Sequence, residues 1–127
     1  MSFWRREVVQ PILDRDIGLN IAEQRSILEQ DPRNAPAHFA LGTLYHFCGD
    51  RKAAVSHFEQ AIDFDPTYAA PHVSLGRIFA IEGSDREAWG HAREAERLGN
   101  RSLVEQLERY PAGESESRRS SGGSRNS

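Results

Sequence analysis

Apolar residues along this chain return at steps of three and four, not two. Leu41, Leu44 and Tyr45 make one such cluster and Leu75, Ile78 and Phe79 another, the spacing of one face of an α-helix. Ala54, Phe58, Ala61 and Ile62 follow the first cluster, and Ala88, Ala92, Ala95 and Leu98 follow the second, again at helical steps. Between the paired clusters stand Gly49 and Gly83, residues tolerant of the left-handed backbone that ends many helices. Asp50 and Ser84 come next, both good N-caps, and Glu87 completes the signature of a capping box with Ser84. Asp65-Pro66 closes the second cluster of the first set, because a residue before proline is pushed out of the helical region. The pattern predicts two helical hairpins, with helices near 35–48, 51–64, 69–82 and 85–98 and no strand.

The two hairpins are nearly one sentence written twice. A shift of 34 residues superposes Leu41 on Leu75, Gly42 on Gly76, Gly49 on Gly83, Ala54 on Ala88, His57 on His91 and Ala61 on Ala95. A fixed period of this size is the mark of a helical-repeat architecture. Small residues at Gly42, Ala54 and Ala61, and at Gly76, Ala88 and Ala95, allow paired helices to approach closely.

With these positions in place, the units resemble tetratricopeptide (TPR) repeats. Leu41-Gly42, Tyr45, Ala54, Phe58, Ala61 and Pro66 fit that family's pattern in the first unit, and Leu75-Gly76, Phe79, Ala88 and Ala95 fit it in the second. The second unit departs at Ala92, where an aromatic is usual, and at Asn100, where a proline is usual, as a terminal unit would. Both units carry His38 and His72 where a bulky apolar residue is usual. The resemblance implies an all-α solenoid of helical hairpins, with full repeats at 35–68 and 69–102. Asp16, on the same cap position as Asp50 and Ser84, and Asp31-Pro32 extend the frame backwards to a helix near 16–30, with Ile21, Ile27 and Leu28 inward. Pro11 is expected to interrupt any helix carrying Trp4, Val8 and Val9, so residues 1–15 are read as a partly ordered segment. Leu103, Val104, Leu107 and Tyr110 suit a capping helix at 102–110, which closes a repeat domain of 16–110. The stretch from Pro111 to Ser127 has no large apolar residue and reads as a disordered tail.

Composition narrows the function classes. A chain of 127 residues with 38% hydrophobic residues is read as a single domain with a shallow core. A net charge of −3 offers no general attraction to nucleic acid or anionic lipid, so neither is expected as a partner. Three arginines in the tail, without an aromatic to stack on bases, do not change that. No apolar run reaches the length of a signal peptide core or a membrane span, which sets a cytoplasmic expectation. The single cysteine, Cys48, is expected to be buried and excludes an intramolecular disulfide.

Candidate chemistry is sparse. His38 with His72, and His57 with His91, are repeat equivalents about one helix spacing apart, ~8–10 Å, too far to share one metal ion. His46 with Cys48 lacks further ligands. No catalytic motif, cofactor site or metal site is assigned, and the protein is not expected to be an enzyme. What remains is the concave face that the first helix of each hairpin presents in stacked repeats. Phe39, Thr43, His46 and Phe47 from the first unit, and Val73, Ser74, Arg77 and Ile81 from the second, are its expected residues, and a protein segment or peptide its expected ligand. The convex side, around His57, Trp89 and His91, is the competing surface. Some TPR proteins clamp a chaperone's C-terminus with Lys and Asn, but Phe39, Thr43 and Ser74 stand in those places here. The rival expectation is self-association into a homodimer or larger assembly, because two intact repeats are fewer than a stable stack usually needs.

Overall fold

The computed structural model describes residues 2–109, with side chains from residue 16 onward. Among these are six α-helices and no strand: α1 (Ser2–Gln30), α2 (Ala35–Phe47), α3 (Arg51–Phe64), α4 (Ala69–Ile81), α5 (Asp85–Arg97) and α6 (Ser102–Arg109). The chain divides into two compact units, one through Phe64 and one from Asp65. The tail from Pro111 and the capping residue Tyr110 lie outside the described residues, as do the side chains of Trp4, Val8 and Val9.

The helix ends follow from local chemistry. Asn34 caps α2, its side chain accepting from the Ala37 N–H at 2.9 Å, and Pro36 sits in the first turn, where a missing N–H removes no bond. At the other end Gly49 takes φ +85°. The Asp50 N–H reaches back to the Tyr45 carbonyl at 2.9 Å and the Gly49 N–H to the His46 carbonyl at 3.0 Å, the two bonds of a Schellman motif. Gly83, at φ +82°, repeats the arrangement with Ser84 bonded to Phe79 and Gly83 to Ala80. Gly99, at φ +101°, makes it a third time with Asn100 bonded to Ala95 and Gly99 to Glu96. Thus Asn100, read from sequence as a missing proline, belongs to a glycine stop. Asp65 closes α3 with a side-chain turn, accepting from both the Thr67 N–H at 3.1 Å and the Thr67 hydroxyl at 2.7 Å.

Three local expectations fail. Helix α1 passes through Pro11 and begins at Ser2, so Asp16 lies mid-helix and caps nothing. Pro11 deletes one backbone bond, and the helix continues on both sides of that gap. Ile27, expected inward, is exposed on α1, while Ile21 and Leu28 are half-buried. Asp50 does cap α3, accepting from the Ala53 N–H at 3.2 Å, but Ser84 makes no side-chain cap bond to α5. Its ψ of 76° departs from the extended backbone that aims a cap oxygen along the first turn, and Asp85 and Glu87 supply the negative charge there instead.

In the first unit α2 packs on α3 and α1 packs on α2. Leu41, Ala54, Phe58 and Ala61 are fully or almost fully buried between the hairpin helices. Gly42 sets their separation: a Cβ there would lie 2.6 Å from Phe58 Cδ1, so the ring occupies the space a side chain would need. In the second unit α4 packs on α5, and α6 packs on both. Val73, Ala88, Ala92, Ala95, Leu103, Val104 and Leu107 form its core. Gly76 repeats the role of Gly42, because a Cβ there would run into the Leu103 side chain and lie 3.3 Å from the Ala88 carbonyl oxygen. Helix α6 therefore buries its expected apolar face.

Candidate functional site

The first-unit candidates all sit on α2, but they differ in access. Phe39 is half-buried and tilts against Phe58 with ring centroids 5.6 Å apart. Thr43 is exposed and bonds back to the Phe39 carbonyl at 3.2 Å, which holds its methyl group in a fixed direction. His46 is exposed at the end of the helix. Phe47 is 70% exposed, a large apolar side chain with most of its surface in water.

The second-unit candidates lie on α4 and are again unequal. Val73 is only 6% exposed and belongs to the core with α5 and α6, so it offers no face to a ligand. The short helix α6 is the cause, since Leu103, Val104 and Leu107 pack into the same cluster. Ser74 is half-buried and Arg77 exposed. Arg77 donates from Nε to Gln106 Oε1 at 3.1 Å, so α6 orients this cation. Ile81 is 81% exposed. It stands one period after Phe47, so each unit ends its first helix with an exposed apolar residue at the same repeat position.

Cys48 contradicts its expectation of burial. It is the C-cap of α2, immediately before the Gly49 turn, and is exposed. Among the described residues no group of three or more His, Cys, Asp and Glu is arranged to hold a metal ion. None of their helices is long and apolar enough to cross a membrane.

The feature that sequence comparison missed is a pairing inside each hairpin. His38 on α2 and His57 on α3 bring their Nδ1 atoms to 3.2 Å, and His72 on α4 and His91 on α5 bring theirs to 2.9 Å. His38 and His72 are buried, at 7% and 8% exposure. Tyr45 stacks on His57, centroids 5.5 Å apart and 9° from parallel, and Phe79 stacks on His91 at 5.7 Å and 8°. His57 and His91 are thus half-buried against the partner helix and do not stand out on a convex face. The pairs could have been found from sequence by asking which residues face each other across a hairpin, since both are separated by 19 positions.

Burial lowers the proton affinity of His57, His72 and His91. For His57 burial acts first, then His38 and then Arg25. For His72 burial leads, opposed by Glu94 and aided by Arg97. For His91 burial leads, His72 adds to it, and Glu87 and Glu94 oppose. Glu94 is itself shifted down, chiefly because it accepts from Arg97, whose Nε lies 2.8 Å away. In the first unit the guanidinium of Arg25 donates to the Tyr45 hydroxyl and lies 5.9 Å from its ring centroid, tying α1 to the residue that stacks on His57.

No family model matches this chain, and no curated protein matches it.

Proposed function

We propose that the protein is a TPR-type helical-repeat module of the cytoplasm that binds a segment of another protein and performs no chemistry of its own. The observation that supports this reading is the matched exposure of Phe47 and Ile81 at the ends of α2 and α4, one period apart. Side chains of this size with 70% and 81% exposure bury little for the fold, and a docking role accounts for their recurrence at one repeat position. Arg77, held by Gln106, adds a directed cation on the same helix as Ile81, suited to an acidic group of the ligand. Aromatic and arginine side chains are the residue types that carry most of the energy in small interfaces.

Selection of random peptides on the immobilised full chain tests the reading. Recovered peptides are expected to carry apolar residues with an acidic neighbour, and to bind the Phe47→Ser/Ile81→Ser variant at least tenfold more weakly, a change of about 1.4 kcal/mol. Both side chains lie mostly outside the core, so the variant keeps its melting temperature. Peptides that bind variant and wild type equally would refute the reading. Light scattering over a range of concentrations addresses the rival: a dimer that the same variant converts to monomer would assign these residues to self-association.

A further inference from the structure

The histidine pairs are built too alike to be incidental to the hairpins. Each joins the first helix of its unit to the second, each joins a buried ring to a half-buried one, and each outer ring is stacked on an aromatic of the first helix. We propose that each pair is a proton-limited couple, and that acidification opens both hairpins by loading the couples beyond the charge their geometry admits. This holds whatever α2 and α4 bind.

Proton counting in the first unit carries the argument. His38 Nε2 lies 3.0 Å from the Pro32 carbonyl oxygen, which can only accept, so Nε2 holds a proton. A neutral His38 then has a bare Nδ1, and that nitrogen accepts from a protonated Nδ1 on His57 at 3.2 Å. One more proton can be placed on His57 Nε2 without touching this bond, which leaves the couple with a single positive charge. A second added proton has only His38 Nδ1 to go to. It would set two N–H groups and two like charges against each other across the same gap, and the contact must open. The Nδ1 atoms of His72 and His91 at 2.9 Å admit one shared proton by the same count.

The surroundings sharpen this behaviour. The charged group acting on His57 from α1 is Arg25, a cation, so it disfavours even the first added proton. On the second couple Glu87 and Glu94 of α5 favour protonation while Arg97 opposes it, yet burial outweighs the carboxylates for both His72 and His91. Three of the four rings therefore hold protons less tightly in the folded chain than the ordinary value of 6.5. The sign follows directly: below pH 6.5 the unfolded chain binds more protons, so the folded state is fully favoured above that pH and loses ground as pH falls. Each excess proton lowers the folded-to-unfolded ratio by up to about tenfold per pH unit.

Urea unfolding of the full chain between pH 7 and pH 5, followed by far-UV circular dichroism, reads the effect. The wild type is expected to lose its folded-to-unfolded ratio by about 100-fold or more per pH unit below 6.5. The His57→Gln/His91→Gln variant keeps an N–H that can donate to each inner ring but removes one titrating partner per couple, and its loss per pH unit is expected to be at least tenfold smaller. A flat wild-type profile, or a variant that follows the wild type, would overturn the proposal. If the variant does not fold, ring nitrogen–proton correlation spectra of the wild type decide. A protonated Nε2 on His38 with a protonated Nδ1 on His57 at pH 7.5 supports the couple, and the opposite tautomers, or four rings that titrate independently near 6.5, refute it.

Discussion

Replacing Gly42 by alanine isolates the close helix approach on which the first hairpin rests. The added Cβ would lie 2.6 Å from both Cδ1 and Cε1 of Phe58 and 3.0 Å from its Cγ, where ordinary contact begins at 3.4 Å. The ring must therefore retreat by roughly 1 Å, yet it is only 1% exposed and has Phe39 against it. Overpacking of this kind costs about 1–3 kcal/mol. Working against it, alanine is the better helix former by ~0.8–1 kcal/mol. Gly90 supplies the control, because it lies in α5, is exposed, and a Cβ there meets nothing within 4 Å. Gly90→Ala should stabilise the protein by the propensity gain alone, so the difference between the two variants measures the steric term. Thermal unfolding resolves it, since each kcal/mol moves the midpoint by about 4–8 °C in a domain of this size. Gly42→Ala is expected to melt at least ~4 °C below Gly90→Ala. Equal midpoints would mean that α2 and α3 do not approach as closely as the Phe58 contact requires.

Two further substitutions test the helix ends. Gly49→Ala and Gly83→Ala should each destabilise by about 1–2 kcal/mol in urea unfolding, because φ near +85° and +82° is unfavourable for a residue with a Cβ. Asp50→Ala should cost about 1 kcal/mol through the lost bond to Ala53, whereas Ser84→Ala should change stability by a few tenths at most, since Ser84 makes no such bond; equal losses would show that both residues cap.

Five of the six helices were legible nearly end to end, and α1 from Asp16 onward, because their signals are local. Gly49 and Gly83 mark the stops, Asp50 and Asp65-Pro66 mark a start and an end, and the apolar steps between them have one period. The failures have two causes, contacts made at a distance in the sequence and local signals that are weaker than they read. Val73 reads as an open position until Leu103, Val104 and Leu107 of α6 arrive over it. Pro11 reads as a break, but a single missing N–H does not end α1. Cys48 fits the apolar face by type, yet its place at the C-cap turns it to solvent. Along the repeat His38 matches His72, while the contact runs across the hairpin, His38 with His57. Phe47 and Ile81 were legible as candidates, but only their exposure separates them from Phe39 and Val73 on the same helices.

The central claim, that the first helices of the repeats bind a protein segment, is tested most directly by site-specific photocrosslinking. A benzophenone amino acid placed at Phe47 or Ile81 in the full chain would be compared with one at Lys52 or Arg86, exposed positions on α3 and α5. Illumination in the presence of a selected peptide is expected to give adducts from positions 47 and 81 and not from 52 and 86. Adducts of equal yield from all four positions, or adducts only between copies of the chain, would contradict it.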